Sequence, residues 1–198
     1  MSNVRLVAEN ENEEFLNCMT TAFVADPTVR YMWPEPSRYL AEFKSFANVY
    51  CGDAVINQTA WTNDNFSGGA AWLAPNDHQD EDRLVEKVMN TCPSDRVDEI
   101  LGALEKLADY HPANDCWYLP MIGVDPNYQG SGYGRGLMDH MLEKIDHQGL
   151  PVYLESSSPR NIELYIRCGF EVMDHLELGG KPIITPMIRA AKKCCSPI

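Results

Sequence analysis

The run Gly130-Ser131-Gly132-Tyr133-Gly134-Arg135-Gly136 sets four glycines at alternate positions, directly after Gln129 and a few residues after the apolar stretch Met121-Ile122-Gly123-Val124. Glycine removes the Cβ where a backbone turns sharply, so successive N–H groups can converge on one ligand. A helix that starts within this run adds its unpaired first-turn amides and the positive end of its dipole. The chemistry on offer is anion binding, above all of phosphate. Register separates the known phosphate loops. A dinucleotide fingerprint, GxGxxG, fails from Gly130, Gly132 and Gly134, because Arg135, Leu137 and Asp139 stand where the closing glycine should be. A Walker-type loop needs Gly-Lys-Ser/Thr, and that tripeptide occurs nowhere in the chain.

Periodicity supplies the elements that must position this loop. A strand over 116–124 leads into it and a helix over 132–148 leads out. A second strand over 152–156 and a helix over 161–168 follow, then two closing strands around 170–176 and 183–188, with Gly179-Gly180-Lys181-Pro182 as punctuation. Upstream, the pattern predicts a short strand over 4–7, helices over 11–23 and 37–50, and strands near 54–61 and 68–73 around the turn-rich 62–65. Helices over 80–89 and 95–110 complete the chain, split by Cys92-Pro93-Ser94, where Ser94 is placed to cap the second. There is no internal repeat and no second domain, so one domain over 1–198 is expected, with a mobile tail from about residue 190.

What the loop does fit is QxxGxG, carried by Gln129, Gly132 and Gly134 and preceded by Val124-Asp125-Pro126. A second block follows in order: Tyr153-Leu154-Glu155-Ser156-Ser157, then Asn161, then Leu164-Tyr165-Ile166-Arg167-Cys168-Gly169-Phe170. On these two blocks the chain resembles the GNAT superfamily of acyl-CoA N-acyltransferases. Ala22-Phe23 with Asp26-Pro27, the strand Gly69-Ala70-Ala71-Trp72-Leu73-Ala74-Pro75, Trp117-Tyr118-Leu119 and the run from Leu154 to Asn161 resemble the branch that includes puromycin N-acetyltransferase. Cys116 departs from that branch, which often has a His before the tryptophan. The resemblance implies an α/β (α+β) fold: a mixed, mostly antiparallel sheet of about six to seven strands with a splayed central parallel pair and flanking helices.

The resemblance also implies a site. Gln129, Gly130, Ser131, Gly132, Tyr133, Gly134 and Arg135 would cradle the pyrophosphate of coenzyme A, and a backbone amide of Ile122 or Val124 would stabilise the thioester oxygen. Tyr165 would protonate the leaving thiolate, with a structural core tyrosine as the rival role. Asn161 would contact the coenzyme or cap its helix. Glu155 would order a water or accept the proton of the amine, unless its hydrogen bonds are purely structural. Asp26 and Asp125 each precede a proline and read as turn formers. Phe23, Tyr31, Trp33, Tyr39 and Trp117 could wall an aromatic acceptor site or pack in the core.

Composition bounds the partners. A net charge of −13 over 198 residues argues against nucleic acid. No apolar run reaches the ~20 residues that span a bilayer, and Met1 to Arg5 lack a secretory core, so a cytoplasmic protein, monomer or homodimer, is expected. The seven cysteines form no CxxC pair and no metal spacing with histidine, and free thiols are expected. His140 and His147 are too far apart along one helix to share a metal. The expected reaction is acetyl transfer from acetyl-CoA to a primary amine of a small molecule. The alternatives are a sensor that binds acetyl-CoA without turnover, and acetylation of a protein or peptide amine.

Overall fold

The computed structural model describes residues 3–113 and 115–192, with the backbone alone at Pro182; the expected tail falls outside these residues from Lys193 on. The chain runs β1 (Val4–Leu6), α1 (Asn12–Ala22), α2 (Pro27–Met32), α3 (Pro36–Tyr50), β2 (Ala60–Asn63), β3 (Gly68–Leu73), α4 (Glu81–Thr91) and α5 (Val97–Tyr110). It continues through β4 (Trp117–Val124), α6 (Tyr133–Gln148), β5 (Val152–Ser156), α7 (Ile162–Arg167), β6 (Glu171–Val172), β7 (Leu176–Leu178) and β8 (Lys181–Arg189). One sheet is ordered β1-β2-β3-β4-β5-β8-β6, with β7 also paired to β8. Every pairing is antiparallel except β4 with β5.

Two cores sandwich the sheet, because side chains alternate along each strand. On one face Tyr118, Met121 and Tyr153 pack with α1, α3, α4 and α5; on the other Trp117, Leu119, Val152 and Leu154 pack with α6 and α7. Both faces of β3 are therefore covered, and all six of its residues are buried. The helix α1 lies close against it. A Cβ built on Gly123 would come within 2.6 Å of the Ala22 Cβ, so the approach of α1 to β4 requires glycine there. On α1 the buried stripe is Phe15, Leu16, Cys18 and Met19, the spacing that predicts the helix.

Several expectations need correction. The strand predicted over 54–61 begins only at Ala60, because 51–58 coil through successive turns and Gln58 takes a positive φ of 57°. The helix α2 arises where a turn was expected: Asp26 accepts from the Val29 amide at 3.0 Å and Pro27 opens the helix, a standard N-terminal signature. Ser94 does not cap α5, whose N-cap is Arg96 without a side-chain bond. The strand predicted over 170–176 is split into β6 and β7, so the sheet holds eight strands, one or two more than predicted. Cys18, Cys51, Cys92, Cys116 and Cys168 are buried free thiols. Among the described residues no helix is long and apolar enough to cross a membrane.

Candidate functional site

The parallel ladder between β4 and β5 is short. It runs from Trp117↔Val152 to Leu119↔Leu154, after which β4 continues in register with β3 alone. Pro120 is the next residue of β4 and has no N–H to offer β5. It falls where the β3–β4 register shifts, between Leu73↔Tyr118 and Ala71↔Met121, a bulge that turns the strand away from its parallel neighbour. Past this point the two strands diverge and a gap opens through the sheet. The Asp125 amide donates to the Ser67 carbonyl at 2.8 Å, so it points at β3. Peptide directions alternate along a strand, and the amides of Val124 and Ile122 therefore point into the gap.

A cavity of about 100 Å³ occupies this gap. Leu119, Ile122, Leu154, Asn161 and Tyr165 line it on the α6–α7 side. Phe43, Phe46, Tyr50, Leu107 and Met121 line it on the opposite face, with Glu155 between the two.

Glu155 follows Leu154 on β5, so alternation turns it toward the α3 face. Its Oε2 accepts from the Tyr50 hydroxyl at 2.9 Å and from the Tyr118 hydroxyl at 2.8 Å, and these hydroxyls lie 3.0 Å apart. The Tyr153 hydroxyl is shared between the Leu107 carbonyl, at a weak 3.5 Å, and the same carboxyl. Burial raises the carboxyl above the ordinary range, and the tyrosine donors oppose that rise by favouring the charged form. The result is a basic carboxylate held in one position. Sequence reading found Glu155 but missed Tyr50 and Tyr118. Tyr118 shares a face with Tyr153 one strand over, a signal that strand alternation carries; nothing near Tyr50 in the sequence points to residue 155.

Tyr165 reaches the gap from the other face. It is buried on the short helix α7 beside Phe170, with ring centroids 6.1 Å apart. Burial and then the charge of Asp26 push its phenol above the ordinary tyrosine range, so it stays protonated. Among the described residues no hydrogen bond ties its hydroxyl. Arg189 holds the end of α7 in place, donating to the Cys168 carbonyl at 3.0 Å while Asp146 pairs with its guanidinium at 2.6 and 2.9 Å. Asn161 precedes α7 and makes no capping bond through its side chain, which faces the cavity. Asp26 does more than form a turn. It also accepts from the Ser157 hydroxyl at 2.6 Å, which ties α2 to the segment between β5 and α7, and burial pushes its carboxyl up to about 6.

The glycine loop lies at the end of β4. Gln129 Nε2 donates to the Val124 carbonyl at 3.2 Å, anchoring the start of the loop. Gly130 and Gly132 take positive φ of 79° and 85°, and a Cβ at either would meet no protein atom within 4 Å. Those positions face open space that a ligand can fill. The first bond of α6 joins the Gly136 amide to the Gly132 carbonyl, leaving the Tyr133, Gly134 and Arg135 amides without helical acceptors. No acidic residue occupies this first turn and no side chain caps it. Arg135 is half-exposed and paired with Asp139 at 2.7 Å. Ser131 and Tyr133 complete the loop. The remaining candidates separate from the site: Trp33 and Tyr39 are buried core residues, Trp117 packs against α6, and Tyr31 bonds Glu99. His140 packs on Trp61 with centroids 4.2 Å apart.

Known proteins resemble this chain in sequence and in fold. An uncharacterized N-acetyltransferase of Schizosaccharomyces pombe is 32% identical over 118 residues, 54% of this chain; the match spans 48% of that relative's length. A crystal structure described as histone acetyltransferase HPA2 and related acetyltransferase, from Corynebacterium glutamicum, superposes with a TM-score of 0.68 at 21% identity, covering 99% of this chain and 100% of that one. A mosquito arylalkylamine N-acetyltransferase-like protein gives 0.65 at 17% identity, covering 96% and 100%. These two likenesses concern the fold. The family model for GNAT acetyltransferases matches residues 26–170, from the cap of α2 to the residue before β6, and the chain belongs to that family.

Proposed function

We propose that this chain is an acyl-CoA N-acyltransferase that moves acetyl from acetyl-CoA to a primary amine of a small molecule, by direct attack in a ternary complex. One observation carries the reading: a basic carboxylate and a protonated phenol enter the same gap from opposite faces of the sheet. The residues also fit the coenzyme. The loop Gln129 to Arg135 offers pyrophosphate a cradle, with open space at Gly130 and Gly132, the Tyr133, Gly134 and Arg135 amides without helical acceptors and no carboxylate in the first turn; the amides of Ile122 and Val124 face the gap, and Asn161 makes no capping bond and can reach the pantetheine arm. When bound, the coenzyme supplies an acetyl group activated as a thioester.

The chain's own groups supply the rest. An amide of Ile122 or Val124 stabilises the negative charge that grows on the acetyl oxygen. Glu155 accepts a proton from the incoming ammonium, directly or through water, and its raised basicity suits that task near neutral pH. Tyr165 donates a proton to the departing sulfur as the C–N bond forms and the C–S bond breaks. Nitrogen sheds two protons between ammonium and amide; one is matched at sulfur through Tyr165, and the other leaves through Glu155 to solvent. The small cavity on the acceptor side favours a small molecule over a peptide, and the mosquito arylalkylamine N-acetyltransferase-like neighbour fits that class. The Gly69–Pro75 and Leu154–Asn161 stretches support a place in the puromycin N-acetyltransferase-like branch, without assigning puromycin as substrate. A cytoplasmic monomer or homodimer belongs to the same proposal.

The test is free-thiol release from acetyl-CoA in the presence of small primary amines, with mass spectrometry of the products. Thiol release matched by an acetylated amine is the expected result. Tight acetyl-CoA binding with no release for any amine would overturn catalysis in favour of a sensor.

A further inference from the structure

The acceptor side of the gap has a chemistry of its own. Phe23 stacks on Phe43 at 5.7 Å between centroids, and Phe46 stacks on Tyr50 at 5.3 Å. Residues 43, 46 and 50 lie on one face of α3, so these rings form a stacked and tilted aromatic row that ends at the Tyr50 hydroxyl and hence at Glu155. Val29 and Met32 from α2, with Leu104 and Leu107 from α5, close the other sides. Among the described residues no Lys, Arg or His lines the cavity, and Glu155 is the only carboxylate that does.

Resting on the acetyltransferase reading, we infer that the acceptor is a monoamine with a compact apolar body, preferably a flat ring, and carries neither a second charged nitrogen nor a carboxylate. The space is limited to a compact body: about 100 Å³ here, less than the ~150 Å³ of an engineered apolar cavity that takes up benzene. An ammonium entering this cavity meets one counter-ion, Glu155, which also takes its proton. A second ammonium on a short chain that lies among Phe43, Phe46 and Leu107 finds no carboxylate there to offset its lost hydration. A carboxylate on the acceptor fares worse, since Glu155 repels it and no cation lines the site to receive it. The aromatic side chains that line the cavity favour a ring through edge-to-face or offset contacts.

Matched amines test this on the wild-type protein. Phenethylamine and phenylalanine differ by one carboxylate, and butylamine and 1,4-diaminobutane by one terminal ammonium. The expected result is a kcat/KM higher by roughly 100-fold or more for phenethylamine over phenylalanine and for butylamine over the diamine. Leu104 is only half-buried, and Leu104→Glu should narrow the butylamine to diaminobutane ratio by about 10-fold, by giving the second ammonium a partner. Equal or better turnover of phenylalanine or the diamine would overturn the inference while leaving the acetyltransferase intact. Turnover of none of the four, with acetyl-CoA bound, would overturn both. An unchanged ratio in a folded Leu104→Glu protein would also count against it.

Discussion

On the α6 side of the gap the groups proposed to hold the pyrophosphate are backbone amides of one contiguous stretch, Gln129 to Arg135, shaped by two positive-φ glycines. On the α3 side the central carboxylate, Glu155, is held by hydroxyls 105 and 37 residues away in the chain. The first half is written in local conformation and the second in tertiary packing. Damage to the first should therefore act on the donor alone, through the backbone, and damage to the second on the acceptor or the proton, through one side chain.

The largest effect should come from Gly132→Val. A β-branched residue at φ 85° is strained, and its side chain projects into the space proposed for pyrophosphate. Acetyl-CoA affinity measured by calorimetry should fall by 100-fold or more, on the order of 3 kcal/mol. Tight binding in this variant would break the donor half of the comparison. Next, Tyr165→Phe should lower kcat by about 100-fold or more while acetyl-CoA affinity stays near wild type. Normal turnover would remove the phenol from its role.

Glu155→Gln should lower kcat/KM by a factor on the order of 100 and also change the pH profile. Burial raises the Glu155 carboxyl, and the base must be ionised to act, so wild-type activity should climb with pH through that raised value. Tyr165 is raised above the ordinary tyrosine range and adds no falling limb near neutrality. With an amine that stays neutral throughout, the glutamine variant should lose the climb; an unaltered climb would assign it elsewhere.

The smallest effect on chemistry and the clearest on stability should come from Asp146→Asn. Arg189 is 5% exposed, so removing its partner strands a buried guanidinium and should cost about 2 to 3 kcal/mol in denaturant unfolding. Hydrogen bonds from Arg189 and Lys192 hold the Asp146 carboxyl below the ordinary range. Its contribution is full above the unfolded value and vanishes as pH falls through the folded one, so the two proteins should converge in acid. A constant difference down to low pH would show that packing, not charge, mounts α7.

Much of the donor half was legible because its determinants are contiguous. The strand 116–124, the loop and the helix 132–148 emerge within one residue of their observed bounds, and the segments of β3 and β5 coincide with prediction. Elements whose form depends on distant partners were less legible. The 54–61 stretch reads as a strand, yet 51–58 coil through turns fixed by contacts such as the Thr59 hydroxyl on the Trp72 carbonyl at 2.6 Å. Asp26 reads as a turn former and in fact caps α2, and its bond to Ser157 spans 131 residues and leaves no local trace. Arg189 and Asp146 went unnoticed for the same reason.

Pro120 makes the gap a property of covalent structure. An ordinary strand residue there would offer β5 a donor, and admitting a thioester would mean breaking that bond first. Here there is no bond to break, so the opening exists before any ligand arrives and binding spends none of its free energy on prising strands apart.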